Sequence, residues 1–281
     1  MLRSAMVPVD FSSNFEFVLQ FAEGLGSLGI RRVVLGHALD ATGLEGPVIA
    51  RKVDAVRDTV RQMRTRLVDA GLEVEVRVAT GEVTDTLLSL ASESHVDLIV
   101  AGTHGKGVLT KLLQGSVSES IVQSSQGPTL MVRYDVLRSA SHPRDVAAGY
   151  GRSVLLPTDF SASSMRALTS VFEMPPTSLG TLYLLHVCDA GLTGEKARKA
   201  EEGAEFQLRN MANMAAENGI SAHPVIRRGD AKRVILQEVN ERRVSGMVIG
   251  TRGRNPLQEV MLGSVSLTLM RQASCPVIIV P

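Results

Sequence analysis

The stretch Leu156-Pro157-Thr158-Asp159-Phe160-Ser161 repeats Val7-Pro8-Val9-Asp10-Phe11-Ser12 at an offset of 149. Outward from it the same spacing returns. Leu184-Leu185-His186-Val187 stands 149 residues after Leu35-Gly36-His37-Ala38. Gly219-Ile220 follows Gly71-Leu72 by 148, as Gly229 follows Gly81 and Pro276 follows Pro128. Gly263-Ser264-Val265-Ser266 follows Gly115-Ser116-Val117-Ser118 by 148 as well. Matched landmarks separated by one indel mean a duplicated domain, and the period is far too long for a solenoid repeat. The 281 residues therefore divide into a first domain at 1–134, a linker at 135–151 and a second domain at 152–281.

Composition narrows the function classes. Thirty Lys and Arg against twenty-nine Asp and Glu give a net charge of +1, without the basic excess of a dedicated nucleic-acid binder. No Trp and 4% aromatics leave few stacking platforms for single strands. No apolar run reaches the roughly 18 residues of a membrane helix. The start, Met1-Leu2-Arg3-Ser4-Ala5-Met6-Val7-Pro8, lacks a signal-peptide apolar core. Cys188 and Cys275 form neither a CxxC pair nor a zinc set, so no metal site is expected and a cytoplasmic, reducing setting is.

Each half alternates strands and helices. In the first, the pattern predicts strands at 6–10, 32–39, 72–79, 96–101 and 129–133, with helices at 14–28, 48–70, 82–94 and 116–125. The second half predicts strands near 153–158, 180–187, 221–227, 246–250 and 276–280. Five strands joined by helical crossovers give an α/β fold: two doubly wound domains, each a five-stranded parallel sheet of order 3-2-1-4-5 with helices on both faces. Pro224 in the third strand of the second half suits an edge position.

In such sheets ligands bind at the carboxyl ends of the strands, where the winding reverses between strands 1 and 4. That rule selects Asp10 or Asp159 after strand 1, and Gly102-Thr103-His104-Gly105 or Gly250-Thr251-Arg252-Gly253 after strand 4. Nine residues later comes Gly115-Ser116 or Gly263-Ser264, opening a helix. Glycines let the backbone approach a ligand, and successive amides make a nest for an anion. A helix N-terminus favours phosphate, and Ser116, Ser118, Ser264 and Ser266 add hydroxyl donors. Lys106, Lys111 and Arg254 are candidate phosphate partners. Each feature also has a plain structural reading. The aspartates can cap helices, the glycines can serve turns, and His37 and His186 can be satisfied structural histidines.

Both halves resemble the universal stress protein family, in tandem form. The likeness is carried by Pro157-Thr158-Asp159-Phe160-Ser161, Leu185-His186-Val187, Gly250-Thr251-Arg252-Gly253 and Gly263-Ser264-Val265-Ser266, with their first-half counterparts. The pattern is similar to the ATP-binding subgroup, marked by GxxG, nine residues and G(S/T). The resemblance implies a Rossmann-like, stress-response regulatory protein that binds ATP, or AMP and ADP, with or without Mg, and has no catalytic residues of its own. It places Asp159 and Val187, or Asp10 and Ala38, around the adenosine. Pro157, Thr158, Gly250, Thr251, Arg252, Gly253, Gly263, Ser264, Val265 and Ser266 complete the second site. Pro8, Val9, Gly102, Thr103, His104, Gly105, Gly115, Ser116, Val117 and Ser118 complete the first. It also implies an intramolecular pseudo-dimer through the last strands, leaves a homodimer open and leaves the protein partner unidentified. Bare edges at Leu130-Met131-Val132 and Val277-Ile278-Ile279-Val280 would be an aggregation hazard, which agrees.

The two copies differ. Val9 replaces Thr158, Ala38 replaces Val187 and Gly36 replaces Leu185, which favours the second half as the tighter site. Arg252 stands where the first half has His104, the commoner family form. In the leading reading, nucleotide occupancy biases the loop at 106–114 or 254–262 for a partner to read. Two alternatives are a slow ATPase and a nucleotide-free dimerisation module. Neither glycine loop continues as a Walker GxxxxGK[ST], so at most weak ATP hydrolysis is expected.

Overall fold

The computed structural model describes residues 2–42, 46–103, 117–251 and 262–281. The chain forms two compact units, Leu2–Ala148 and Gly149–Pro281. In the first, the elements are β1 (Ser4–Pro8), α1 (Phe15–Ala22), β2 (Arg32–Leu39), α2 (Gly46–Asp69) and β3 (Glu73–Thr80). They continue with α3 (Val83–Glu93), β4 (Leu98–Thr103), α4 (Val117–Ser124), β5 (Thr129–Arg133), α5 (Tyr134–Ser139) and α6 (Pro143–Ala148). In the second are β6 (Ser153–Pro157), α7 (Ala162–Phe172), β7 (Thr181–Cys188), α8 (Gly194–Glu217) and β8 (Ala222–Arg228). Then come α9 (Ala231–Glu241), β9 (Gly246–Gly250), α10 (Ser264–Gln272) and β10 (Val277–Val280).

Within the first unit the strands run β3-β2-β1-β4-β5, all pairings parallel. Within the second they run β8-β7-β6-β9-β10, again all parallel. Burial follows this order. β4 and β10 are buried at every position, as strands covered on both faces must be. β3 and β8 lie half-open at one edge, and Pro224, which has no N–H to give, sits exposed on β8. In the first unit Met6, Val34, Leu87, Leu90, Ile99 and Ile121 close one face of the sheet into a core.

The starts of the central strands are tied by polar groups that differ between the copies. In the first, Asp97 Oδ2 accepts from Ser4 N at 2.9 Å and from Ser4 Oγ at 2.8 Å. In the second, Ser245 Oγ accepts from Ser153 N at 2.9 Å and donates to the carbonyl of Tyr150.

One helix departs from its expected length. The helix expected at 14–28 ends as α1 at Ala22, and a short 3-10 turn covers Leu25–Leu28. The reason lies far away in sequence. A Cβ on Gly24 would stand 2.1 Å from the carbonyl oxygen of Arg144 in α6, so α6 packs where a longer helix would carry side chains. The segment expected as a linker, 135–151, contains α6 and most of α5. Pro143 opens α6, where its missing N–H costs nothing.

Candidate functional site

Both units build the switch point in the same way from local chemistry. After β6, Asp159 Oδ1 accepts from Ser161 N at 3.1 Å, and after β1, Asp10 Oδ1 accepts from Ser12 N at 2.9 Å. These are Asx turns. The residue inside each turn is an aromatic with positive φ, Phe160 at 63° and Phe11 at 54°. Bulky residues rarely adopt that conformation, so the turn is held by its surroundings. Part of the hold is ring contact: Phe160 stacks on His186 at 4.5 Å, and Phe11 meets His37 at 4.8 Å. The aspartates are not the helix N-caps. Ser161 caps α7 by accepting from Ser164 N, and Asn14 holds that position before α1.

The histidines tie strand 1 to strand 2. His186 Nδ1 lies 2.8 Å from the carbonyl of Thr158, and His37 Nδ1 lies 2.6 Å from the carbonyl of Val9. A carbonyl only accepts, so each Nδ1 carries the proton.

The end of strand 4 is tied to the following helix. Ser266 Oγ donates to the carbonyl of Gly250 at 2.7 Å, and Ser118 Oγ donates to that of Gly102 at 2.6 Å. Gly250 must be glycine. A Cβ there would stand 2.7 Å from the backbone carbon of Ser163. In the first unit Gly102 is pressed instead by the Tyr134 ring, 2.3 Å from where its Cβ would stand. Burial, with the Asp10 carboxylate nearby, pushes the Tyr134 hydroxyl up to about 12.

In the second unit these elements enclose a cavity of about 370 Å3. Of the residues expected from sequence, Pro157, Thr158, Asp159, Val187, Gly250, Gly263, Ser264, Val265 and Ser266 line it. Thr251 does not line it. It is buried beside the cavity, where its carbonyl accepts from Gly263 N at 2.8 Å. Arg252, Gly253 and Arg254 lie outside the described residues, as does most of the loop at 254–262. The sequence reading missed Ser164, Leu185, Ala231, Ile235, Ile249 and Leu269, and treated His186 as structural; all seven line the cavity. Ala231 and Ile235 stand four apart at the start of α9, a spacing that marks an inward face without marking a hole.

Of the first-unit residues, Pro8, Val9, Asp10, Ala38, Gly102 and Thr103 stand at the ends of β1, β2 and β4, and Val117 and Ser118 open α4. His104, Gly105, Gly115 and Ser116, with Lys106 and Lys111 and the whole loop at 106–114, lie outside the described residues. One pair separates the copies. Thr158 Oγ1 and Ser164 Oγ are 3.0 Å apart in a buried hydrogen bond. The residues 149 positions earlier are Val9 and Phe15, each 4% exposed. A polar pair beside the second cavity is thus an apolar pair in the first copy, and a phenyl ring stands where the second copy has a hydroxymethyl.

Fold and site together define a duplicated, parallel α/β protein with a strand-end cavity in its second copy. The model of the universal stress protein family matches residues 1–133 and 151–281, and the chain belongs to that family. It is 26% identical over 294 residues to a universal stress protein of Mycolicibacterium smegmatis, covering 98% of this chain and 96% of the relative. Universal stress protein YxiE of Bacillus subtilis is 32% identical over 144 residues, 45% of this chain and 97% of its own. Among solved structures, a universal stress protein from Archaeoglobus fulgidus superposes with a TM-score of 0.78 at 22% identity, over 100% of this chain and 98% of its own. Among the described residues no helix is long and apolar enough to cross a membrane.

Proposed function

We propose that the second unit binds an adenine nucleotide, ATP or its di- and monophosphates, and that the protein acts as a stress-response regulator rather than a dedicated enzyme. The observation that carries this reading is the cavity of about 370 Å3 at the switch point. Its volume falls within the range of about 300–1,000 Å3 typical of small-molecule sites. Its two ends differ in chemistry. At one end Asp159 and the Val187 backbone face the edge of a base, and Leu185 and Ile235 supply apolar contact for its ring. At the other, the N-terminus of α10 at Gly263-Ser264-Val265 offers amides and a dipole to an anionic tail. The first unit, with Val9 and Phe15 in place of Thr158 and Ser164, binds more weakly. Cys188 and Cys275 are free, buried thiols, which suits a reducing, cytoplasmic setting.

Titration calorimetry of the full chain with ATP, ADP and AMP at millimolar concentration tests the reading. Binding heat and a thermal shift are expected. At a hundredfold excess over Kd the added stability is about 2.7 kcal/mol. No heat and no shift with any of the three overturns it. ATP turnover faster than about one per second, the lower range of ordinary enzymes, overturns its non-catalytic part.

A further inference from the structure

A second cavity, of about 560 Å3, lies at the same end of the second unit on the side of α8. Asp159, His186 and Val187 line both cavities and so form a shared rim. Under the nucleotide reading above, on which this inference rests, Asp159 and Val187 face the edge of the adenine. A group carried on that edge, at the exocyclic N6, then points across the rim into the second cavity.

The walls of that cavity favour a particular kind of group. One wall includes Phe160, whose ring is stacked within 27° of parallel on His186. On the α8 side the lining is Ala200, Gly203 and Ala204, flanked by Lys199 and Gln207. The positions 148 residues before the three small ones, in α2, are Lys52, Ala55 and Val56. At these three positions the second copy carries the smaller side chain, while at the far end of the wall Gln207 is larger than its counterpart Thr59. Gly203 has no packing reason to be glycine, since nothing lies within 4 Å of where its Cβ would stand. Glycine inside a helix is unfavourable, so its presence there calls for another role. An aromatic wall together with a patch of small residues between Lys199 and Gln207 makes a slot for a flat apolar group with polar side chains at its margins.

We propose that the second unit accepts adenine nucleotides bearing a planar apolar substituent on N6, seated between the Phe160–His186 stack and α8. The test compares ATP with N6-benzyl-ATP by calorimetry on the full chain, and repeats both with Gly203→Leu, which fills the slot and favours the helix. N6-benzyl-ATP is expected to bind no more than threefold weaker than ATP. Gly203→Leu is expected to weaken the benzyl compound at least tenfold and to leave ATP within threefold. If ATP binds and the benzyl compound binds more than threefold weaker, the proposal fails while the nucleotide reading stands. If Gly203→Leu spares the benzyl compound or weakens both ligands alike, the benzyl group does not occupy the slot and the proposal fails. If ATP itself does not bind, the nucleotide reading fails and the proposal with it.

Discussion

Ser266 Oγ donates a 2.7 Å hydrogen bond to the carbonyl oxygen of Gly250, fastening the first turn of α10 to the end of β9. Ser118 and Gly102 repeat the bond at 2.6 Å in the first unit. The bond sets the distance between the strand end and the helix N-terminus, and both line the cavity. Ser266→Ala is expected to cost about 1 kcal/mol, the usual worth of such a bond, in urea unfolding. ATP heat should fall with it. Unchanged stability and unchanged heat would show that packing alone holds the helix.

Gly250 allows no side chain. A Cβ meets the backbone of Ser163 at 2.7 Å, and backbone cannot rotate away as a side-chain end can. Gly250→Ala should destabilise the second unit by about 1–3 kcal/mol, the range for overpacking, with a lowered Tm by circular dichroism. A variant as stable as the parent would mean that α7 yields freely.

The pair Thr158–Ser164 tests why the copies differ. Thr158→Val with Ser164→Phe installs the first-unit pair, Val9 and Phe15, at the second cavity. ATP affinity should drop at least tenfold, about 1.4 kcal/mol, because Ser164 lines the cavity and a phenyl ring takes its volume. The single Thr158→Val should cost stability of its own, about 1 kcal/mol, since Phe160 N loses the Thr158 hydroxyl as an acceptor and Ser164 keeps only its bond to the Ser161 carbonyl among these contacts. Wild-type affinity in the double variant would disprove the assignment of the tighter site.

Acid sensitivity is expected from Glu238. Its side chain is 4% exposed and pairs with Arg227 and Arg242. Burial pushes its carboxyl up, but hydrogen bonds from Arg242 and Arg227 outweigh this and hold it below the usual range. The folded pKa is thus lower than the unfolded one, about 4.3. The pair's stabilisation is present above that value and is lost as pH falls through the folded pKa. Tm should fall more steeply on acidification below about pH 4.3 in the parent than in Glu238→Gln. Equal slopes would assign the acid loss to other carboxylates. The first copy has Leu90 and Ser94 at the positions of Glu238 and Arg242, so no matching effect is expected from its α3.

Much of this was written in the one-dimensional pattern. The duplication at 149 and 148 residues, the alternation of strand and helix, and the proline on β8 specify two parallel sheets of one strand order. The winding rule then points to the strand ends that carry Asp159, Val187 and Gly250. Those features are local or periodic, and backbone chemistry leaves them few alternatives. The remaining features depended on contacts between residues far apart in the chain. α1 stops at Ala22 because the carbonyl of Arg144 occupies the space beside Gly24. Tyr134 presses on Gly102 because α5 follows β5 directly. Ser164, Ala231, Ile235 and Leu269 line the cavity because packing sets how each helix is rotated and seated on its sheet. Helical periodicity says which residues face inward. Only the assembled sheet and helices decide which of those inward residues meet another side chain and which border a space large enough for a guest.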